Sequence, residues 1–182
     1  MCWKVQVSTI SDVNYDWFLK VDIRTFVVME NFRYFVSSFD PSFPFYFGHT
    51  ISSMWDVSYN SAEAGIAMSR GAVQQLRKAL TEGLCTDDSG SSSDIELGKC
   101  LAMVSVYPQD TRDPYGHARF LPSNPKAHLL KKRFPWYSFL WMKSKYSIKE
   151  VLIVCIDVNL SFVLTVSLVD IGDINSVHIL LK

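Results

Sequence analysis

The octapeptide Leu19-Lys-Val-Asp-Ile-Arg-Thr-Phe26 places a carboxylate, Asp22, at the end of an apolar run and a guanidinium, Arg24, two positions on. The carboxylate admits two readings. It is half of a divalent-metal site, whose hard cation requires anionic oxygens, or it is an ordinary strand-end acid. Arg24 cannot ligate a metal. From the residues alone it forms with Asp22 an exposed ion pair worth little. A second acid, Asp94, lies in Ser93-Asp-Ile-Glu96. That pattern matches a capping box, in which Ser and Glu side chains satisfy the first free amides of a helix. From the residues alone, an acid there serves the helix start. A helix N-terminus stabilises a carboxylate, which weakens it as a base unless burial offsets the effect.

The remaining chemistry-bearing residues are scattered. His49, His117, His128 and His178 show no paired spacing, and Cys2, Cys85, Cys100 and Cys155 form neither a CxxC nor a Cys/His cluster. This spacing argues against a zinc site. Cys85 and Cys100 flank a polar loop. They close a disulfide in an oxidising compartment or remain two buried thiols, and the sequence leaves both open.

The elements that must position these residues follow from periodicity. Tyr15 to Val21 is aromatic and apolar and reads as a strand. In Glu30 to Phe39, the residues Phe32, Phe35, Val36 and Phe39 recur at helical spacing, and Asp40-Pro41 ends that helix. Pro44 to Gly48 is a short strand, and Ala64 to Ser69 a further short apolar element. Ser69 is placed to cap a helix over Arg70 to Glu82, with Gly83 as its terminator. A helix from Ser93 should run to about Met103. Asp110 to Pro125 has turn chemistry, and Ser161 to Val169 alternates like a half-buried strand. Strands and helices alternate in the first two-thirds, which favours an α/β layer architecture.

Composition narrows the class. The 182 residues are 48% hydrophobic, a globular composition long enough for one cored domain. Eighteen basic and eighteen acidic side chains cancel, so no global field steers the chain to nucleic acid or membrane. The basic, aromatic stretch around Lys131, Trp136, Tyr137 and Trp141 follows no RNA-binding module pattern and reads as a solvated face and core aromatics. No signal peptide is expected from Met1-Cys-Trp-Lys-Val-Gln-Val7. The apolar stretch Val151 to Ile171 carries Asp157, Asn159 and Asp170. A membrane-spanning helix would bury such charges at ~3 kcal/mol each near its centre, so a buried strand is expected.

Five blocks in order carry a family resemblance: DWFLKVDIRTFVVMENFRYFV, PFYFGH, YNSAEAGIAMS, GLCTDDSGSSSDIELGKCL and DTRDPYG. Together they resemble the core 1 β1,3-galactosyltransferase family, which includes the transferase that adds galactose to GalNAc-Ser/Thr and its dedicated, inactive chaperone paralogue. The resemblance covers about Asp16 to Tyr137 and thins afterwards. It implies an A-type glycosyltransferase α/β fold (nucleotide-diphospho-sugar transferase-like), N-terminally truncated: a divergent stretch over 1–15, a glycosyltransferase-like domain over 16–146, and a divergent, strand-rich tail over 147–182. The family's cytoplasmic tail, membrane anchor, stem and first nucleotide-binding units precede the block that begins here at Asp16. The anchor is expected in the family and absent from this chain.

The resemblance also assigns roles. The family's Asp-x-Asp metal motif falls on Asp22, Ile23 and Arg24, and a later histidine falls on Val163. The family's Mn²⁺ would therefore keep only Asp22, and loss of the metal site is expected; the rival is Arg24 seated on the diphosphate of UDP-galactose. The family's Glu-Asp pair falls on Ser93 and Asp94, making Asp94 the candidate base. Its Ser-Gly-Gly-Ala-Gly pocket falls on Ser61-Ala-Glu-Ala-Gly65, where Ala62 and Glu63 fill space that glycines leave open. Glu63 and the run from Gly48 to Ile51 lean toward the chaperone. Cys85, Asp94, Arg112 and Asp113 lean toward the transferase. Glu63, Gly65, Arg112, Asp113 and Trp136 are the expected substrate contacts. Arg112 and Asp113 are also explained as turn residues before Pro114.

Three outcomes are expected in order. The first is a metal-motif-deficient, non-catalytic or chaperone-like paralogue in mucin-type O-glycan synthesis, in the Golgi or endoplasmic reticulum lumen, partnered by an acceptor glycoprotein or a related galactosyltransferase and not by nucleic acid. The second is an active transferase moving galactose from UDP-galactose to GalNAc-Ser/Thr. The third is a truncated product without function.

Overall fold

The computed structural model describes residues 15–22, 25–52, 57–85 and 92–121, together with strand backbone at 143–144 and 176–181. The elements in chain order are β1 (Trp17–Asp22), α1 (Met29–Val36), β2 (Tyr46–Ser52), β3 (Ser58–Ser69), α2 (Arg70–Thr81), α3 (Ser93–Met103), β4 (Lys143–Ser144) and β5 (Ser176–Leu181). The strands form one sheet in the order β4-β2-β3-β1-β5, and every pairing is antiparallel. The result is a mixed α/β domain with an antiparallel sheet. Among the described residues no helix is long and apolar enough to cross a membrane.

The apolar run of β1 reflects burial on both faces. Trp17, Leu19 and Val21 pack with Phe32 and Val36 of α1 and with Phe47, Ala67 and Phe120. Phe18 points the other way, into a cluster with Tyr46, Ile66, Met68, the α2 residues Val73 and Leu76, and the α3 residues Leu97 and Leu101. Alternate strand positions thus feed two cores, with α1 over one face and α2 and α3 over the other. The first core is aromatic. Trp17 and Phe45 both stack on Phe47, at centroid separations of 5.8 and 5.4 Å.

Local chemistry sets the boundaries. α1 ends at Val36, three residues short of the expected Phe39, because the chain turns as the Phe39 amide reaches the Val36 carbonyl. Phe39 still packs 5.0 Å from both Phe45 and Phe47. At α2 the Ser69 hydroxyl accepts from the Ala72 amide, as the capping pattern predicts, and also from the Phe45 amide. The capping box at α3 does not form. Ser92 is the N-cap and makes no side-chain cap bond, because Ser93 has moved into the helix and its hydroxyl reaches Asp94 instead.

β2 and β3 are longer than their apolar centres suggest, running on to Ser52 and back to Ser58. β5 falls within the tail expected to be strand-rich, 147–182, although no strand is expected at Ser176–Leu181 itself. The expected strand at Ser161–Val169 lies outside the described residues.

Candidate functional site

Asp22 is the last residue of β1, and its backbone stands opposite Ser176 of β5. Its place at a strand terminus agrees with the expected end of the apolar run. Ile23, Arg24, Trp136 and Val163 lie outside the described residues. The chain resumes at Thr25, whose hydroxyl donates to the Glu63 carbonyl at 3.1 Å.

That bond leads to an irregularity in β3. Gly48 of β2 stands opposite Ile66, but the next residue, His49, stands opposite Ser61. Residues Ala62, Glu63, Ala64 and Gly65 are therefore looped out of the ladder, a bulge that re-aims the strand. Gly65 has φ +83°, and a β-carbon there would lie 3.5 Å from the Val21 side chain and 3.7 Å from that of Thr25. Only glycine adopts this backbone without strain. The segment matched to the family's sugar pocket thus leans on the end of β1, beside the residues that follow the metal-motif position.

Asp94 meets the same segment from α3. One carboxylate oxygen accepts the Ala62 amide at 2.9 Å. The other lies 3.9 Å from the ammonium of Lys20, and the two side chains are only 19% and 10% exposed. The Ser93 hydroxyl donates to it at 3.4 Å. Lys20 sits on β1 two residues before Asp22, so one ion pair, buried at Lys20 and half-buried at Asp94, joins β1 to α3 across the looped-out segment. The phenols of Tyr46 and Tyr59 lie within the field of this carboxylate. Burial pushes both above the ordinary tyrosine range, and the negative charge of Asp94 adds to the rise.

Behind the segment stands a buried polar knot. Asn60 accepts from the Thr50 hydroxyl at 2.9 Å and donates to the Tyr46 carbonyl at 3.3 Å, while its backbone amide donates to the Tyr46 hydroxyl at 3.0 Å. These bonds fix β2 against β3 just where the register jumps.

Arg112 and Asp113 occupy a separate turn. Arg112 grips the Asp110 carboxylate with two nitrogens, at 2.7 to 3.1 Å. Asp113 accepts the amides of Tyr115 and His117 and pairs with the His117 ring at 2.8 Å. Desolvation raises the Asp113 carboxyl, but the His117 ring and the two amides outweigh it and hold the group below its ordinary range. The turn is tied to the sheet through Thr111, whose hydroxyl donates to the Gly48 carbonyl at 3.4 Å. Cys85 and Cys100 form a disulfide, with α-carbons 4.9 Å apart, joining the end of α2 to α3. Among the described residues no group of three or more His, Cys, Asp or Glu is placed to hold a metal.

Of the expected site residues, the structure brings together the end of β1, Glu63, Gly65 and Asp94. Lys20 and Asn60 were not singled out from the sequence. A lysine inside the apolar run Trp17-Phe-Leu-Lys-Val21 was the available signal, since a buried ammonium needs a nearby anion.

No protein-family model matches the chain. Over 148 residues it is 32% identical to glycoprotein-N-acetylgalactosamine 3-beta-galactosyltransferase 1 of Xenopus laevis, a match that takes in 81% of this chain and 41% of the relative. The chain therefore spans about two fifths of that relative's length. The similarity supports the galactosyltransferase family that the sequence blocks resemble.

Proposed function

We propose that the chain is a core 1 β1,3-galactosyltransferase-family protein of mucin-type O-glycan synthesis that has lost the metal motif and serves without catalysis, as a chaperone-like partner of a related galactosyltransferase in the lumen of the endoplasmic reticulum or Golgi. The observation that carries it is the pair Asp22 and Arg24. In a transferase of this kind a divalent cation neutralises charge on the departing nucleoside diphosphate. One carboxylate beside a guanidinium does not fit that ion: Arg24 offers no lone pair and repels a cation. Glu63 adds to the case, since a charged side chain replaces a glycine of the pocket the family uses for sugar.

The test is direct. The protein is incubated with UDP-galactose, Mn²⁺ and a GalNAc-bearing peptide, and separately co-expressed with an active galactosyltransferase. No transfer, together with a complex and a gain in the partner's activity, is the expected result. Robust transfer, abolished by Asp94→Asn, overturns the reading. Absence of both complex and gain removes the chaperone-like role.

An active transferase is the second reading. What favours it is the convergence of the β1 end, the looped-out segment and Asp94 in one place. Asp94 would then take the proton of the acceptor hydroxyl, and Arg24 would bind the diphosphate.

A further inference from the structure

Three contacts converge on a stretch of four residues. Ala62–Gly65 has no Cα partner in the β2–β3 register, which steps from Gly48–Ile66 to His49–Ser61. Its first amide, on Ala62, instead donates to the Asp94 carboxylate. Its second carbonyl, on Glu63, accepts from Thr25. Its last residue, Gly65, is in the left-handed region against Val21 and Thr25. Asp94 is in turn held by Lys20 from inside the sheet.

We infer that Asp94 is a positioning residue: with its charge balanced by Lys20, its carboxylate replaces the missing ladder partner of Ala62 and latches the looped-out segment against the end of β1. This rests on the non-catalytic reading and gives the retained acid a use that needs no proton transfer. The chemistry suits the task. An ionised acceptor makes a stronger bond to a backbone amide than a neutral one, and the partly buried Ala62 amide would lose that bond if left without an acceptor. Lys20 balances the charge of the half-buried carboxylate. A helix-start acid acting only on its own helix would bond amides of α3, whereas the amide bonded here belongs to β3, 32 residues away in sequence.

The latch is tested by residue-resolved amide hydrogen exchange on the full chain. Asp94→Ala is expected to speed exchange at Ala62 by at least about tenfold, while amides of α2 such as Leu76 keep their wild-type rates. Asp94→Asn, which retains an acceptor oxygen, is expected to restore Ala62 to within about threefold of wild type. An Ala62 rate unmoved by Asp94→Ala overturns the inference, and so does failure of Asp94→Asn to restore it. Should Asp94→Ala not fold, Asp94→Asn decides alone: protection at Ala62 supports the latch and its loss refutes it. Galactose transfer by the wild-type protein would remove the non-catalytic reading but leave the exchange result standing. Unchanged exchange at Ala62 would remove the latch and leave the metal-motif argument intact.

Discussion

Gly98 of α3 lies directly against Tyr59 of β3: a β-carbon added at Gly98 would stand 2.5 Å from the Tyr59 β-carbon. That approach seats α3 on the sheet and so delivers Asp94 to Ala62. Gly98→Ala gains up to about 1 kcal/mol of helix propensity. It also forces apart two elements whose touching atoms are close to the backbone, an overpacking cost of ~1–3 kcal/mol. A net loss of about 1–2 kcal/mol is expected in urea melts. A variant as stable as wild type would show that α3 is not seated this way.

The Lys20–Asp94 pair should be strongly asymmetric to disruption. Lys20→Met leaves a half-buried carboxylate without its neighbouring ammonium, and a loss of ~1–2 kcal/mol is expected. Adding Asp94→Asn removes the stranded charge and should recover part of that loss. Strict additivity of the two changes in a double-mutant cycle would mean that the groups do not interact.

Asn60 is fully buried, and its side chain bonds both Thr50 and Tyr46. Asn60→Leu keeps the volume and strands the Thr50 hydroxyl, at a cost of ~2–4 kcal/mol. Thermal denaturation measures this. Thr50→Val in the Asn60→Leu background should return some of the stability, because the stranded hydroxyl is then gone.

The Asp113–His117 turn predicts a pH effect with a definite sign. The folded carboxyl lies below its ordinary value of 3.8. Its stabilising contribution is therefore fully present above the unfolded value and fades as pH falls through the depressed one. His117→Ala should move the Asp113 titration, followed by carboxyl NMR, upward toward 3.8. A carboxyl that titrates at the same pH with and without His117 contradicts the pairing.

The Cys85–Cys100 disulfide closes a loop of sequence separation 15. A loop of that length corresponds to about 3 kcal/mol in the chain-entropy account. Cys85→Ser/Cys100→Ser should melt lower by that amount, and reductant should lower the wild type but not the double variant. Equal melting of the wild type with and without reductant would mean that the bond is absent in solution.

Much of this arrangement was legible in the residues, for identifiable reasons. β1 and α2 stood out because their signals are local: an apolar run in one, and a serine cap with helical spacing in the other. The strand-end place of Asp22 followed from the same run. The span of α3, Ser93–Met103, was legible, but its capping box was not formed, because Ser93-Asp-Ile-Glu96 satisfies a local pattern that the fold overrides, drawing Asp94 to a partner in β3. The looped-out segment was invisible for a related reason. Register belongs to two strands at once, and nothing in Ala62-Glu63-Ala64-Gly65 alone says where β2 resumes its pairing. The tail was expected to be strand-rich, but the position of β5 was not legible, because its place is set by β1, far away along the chain.

The pairing of β1 with β5 sets Trp17 opposite Leu181 and Asp22 opposite Ser176. On the ribosome, one edge of β1 must then wait open while more than a hundred intervening residues are made. Contacts so distant in sequence form slowly, and an uncovered strand edge invites the wrong neighbour. Biosynthesis of this chain should accordingly be most vulnerable to misassembly in the interval before residue 181 emerges, and a segment that shields β1 during that interval should raise the yield of folded protein.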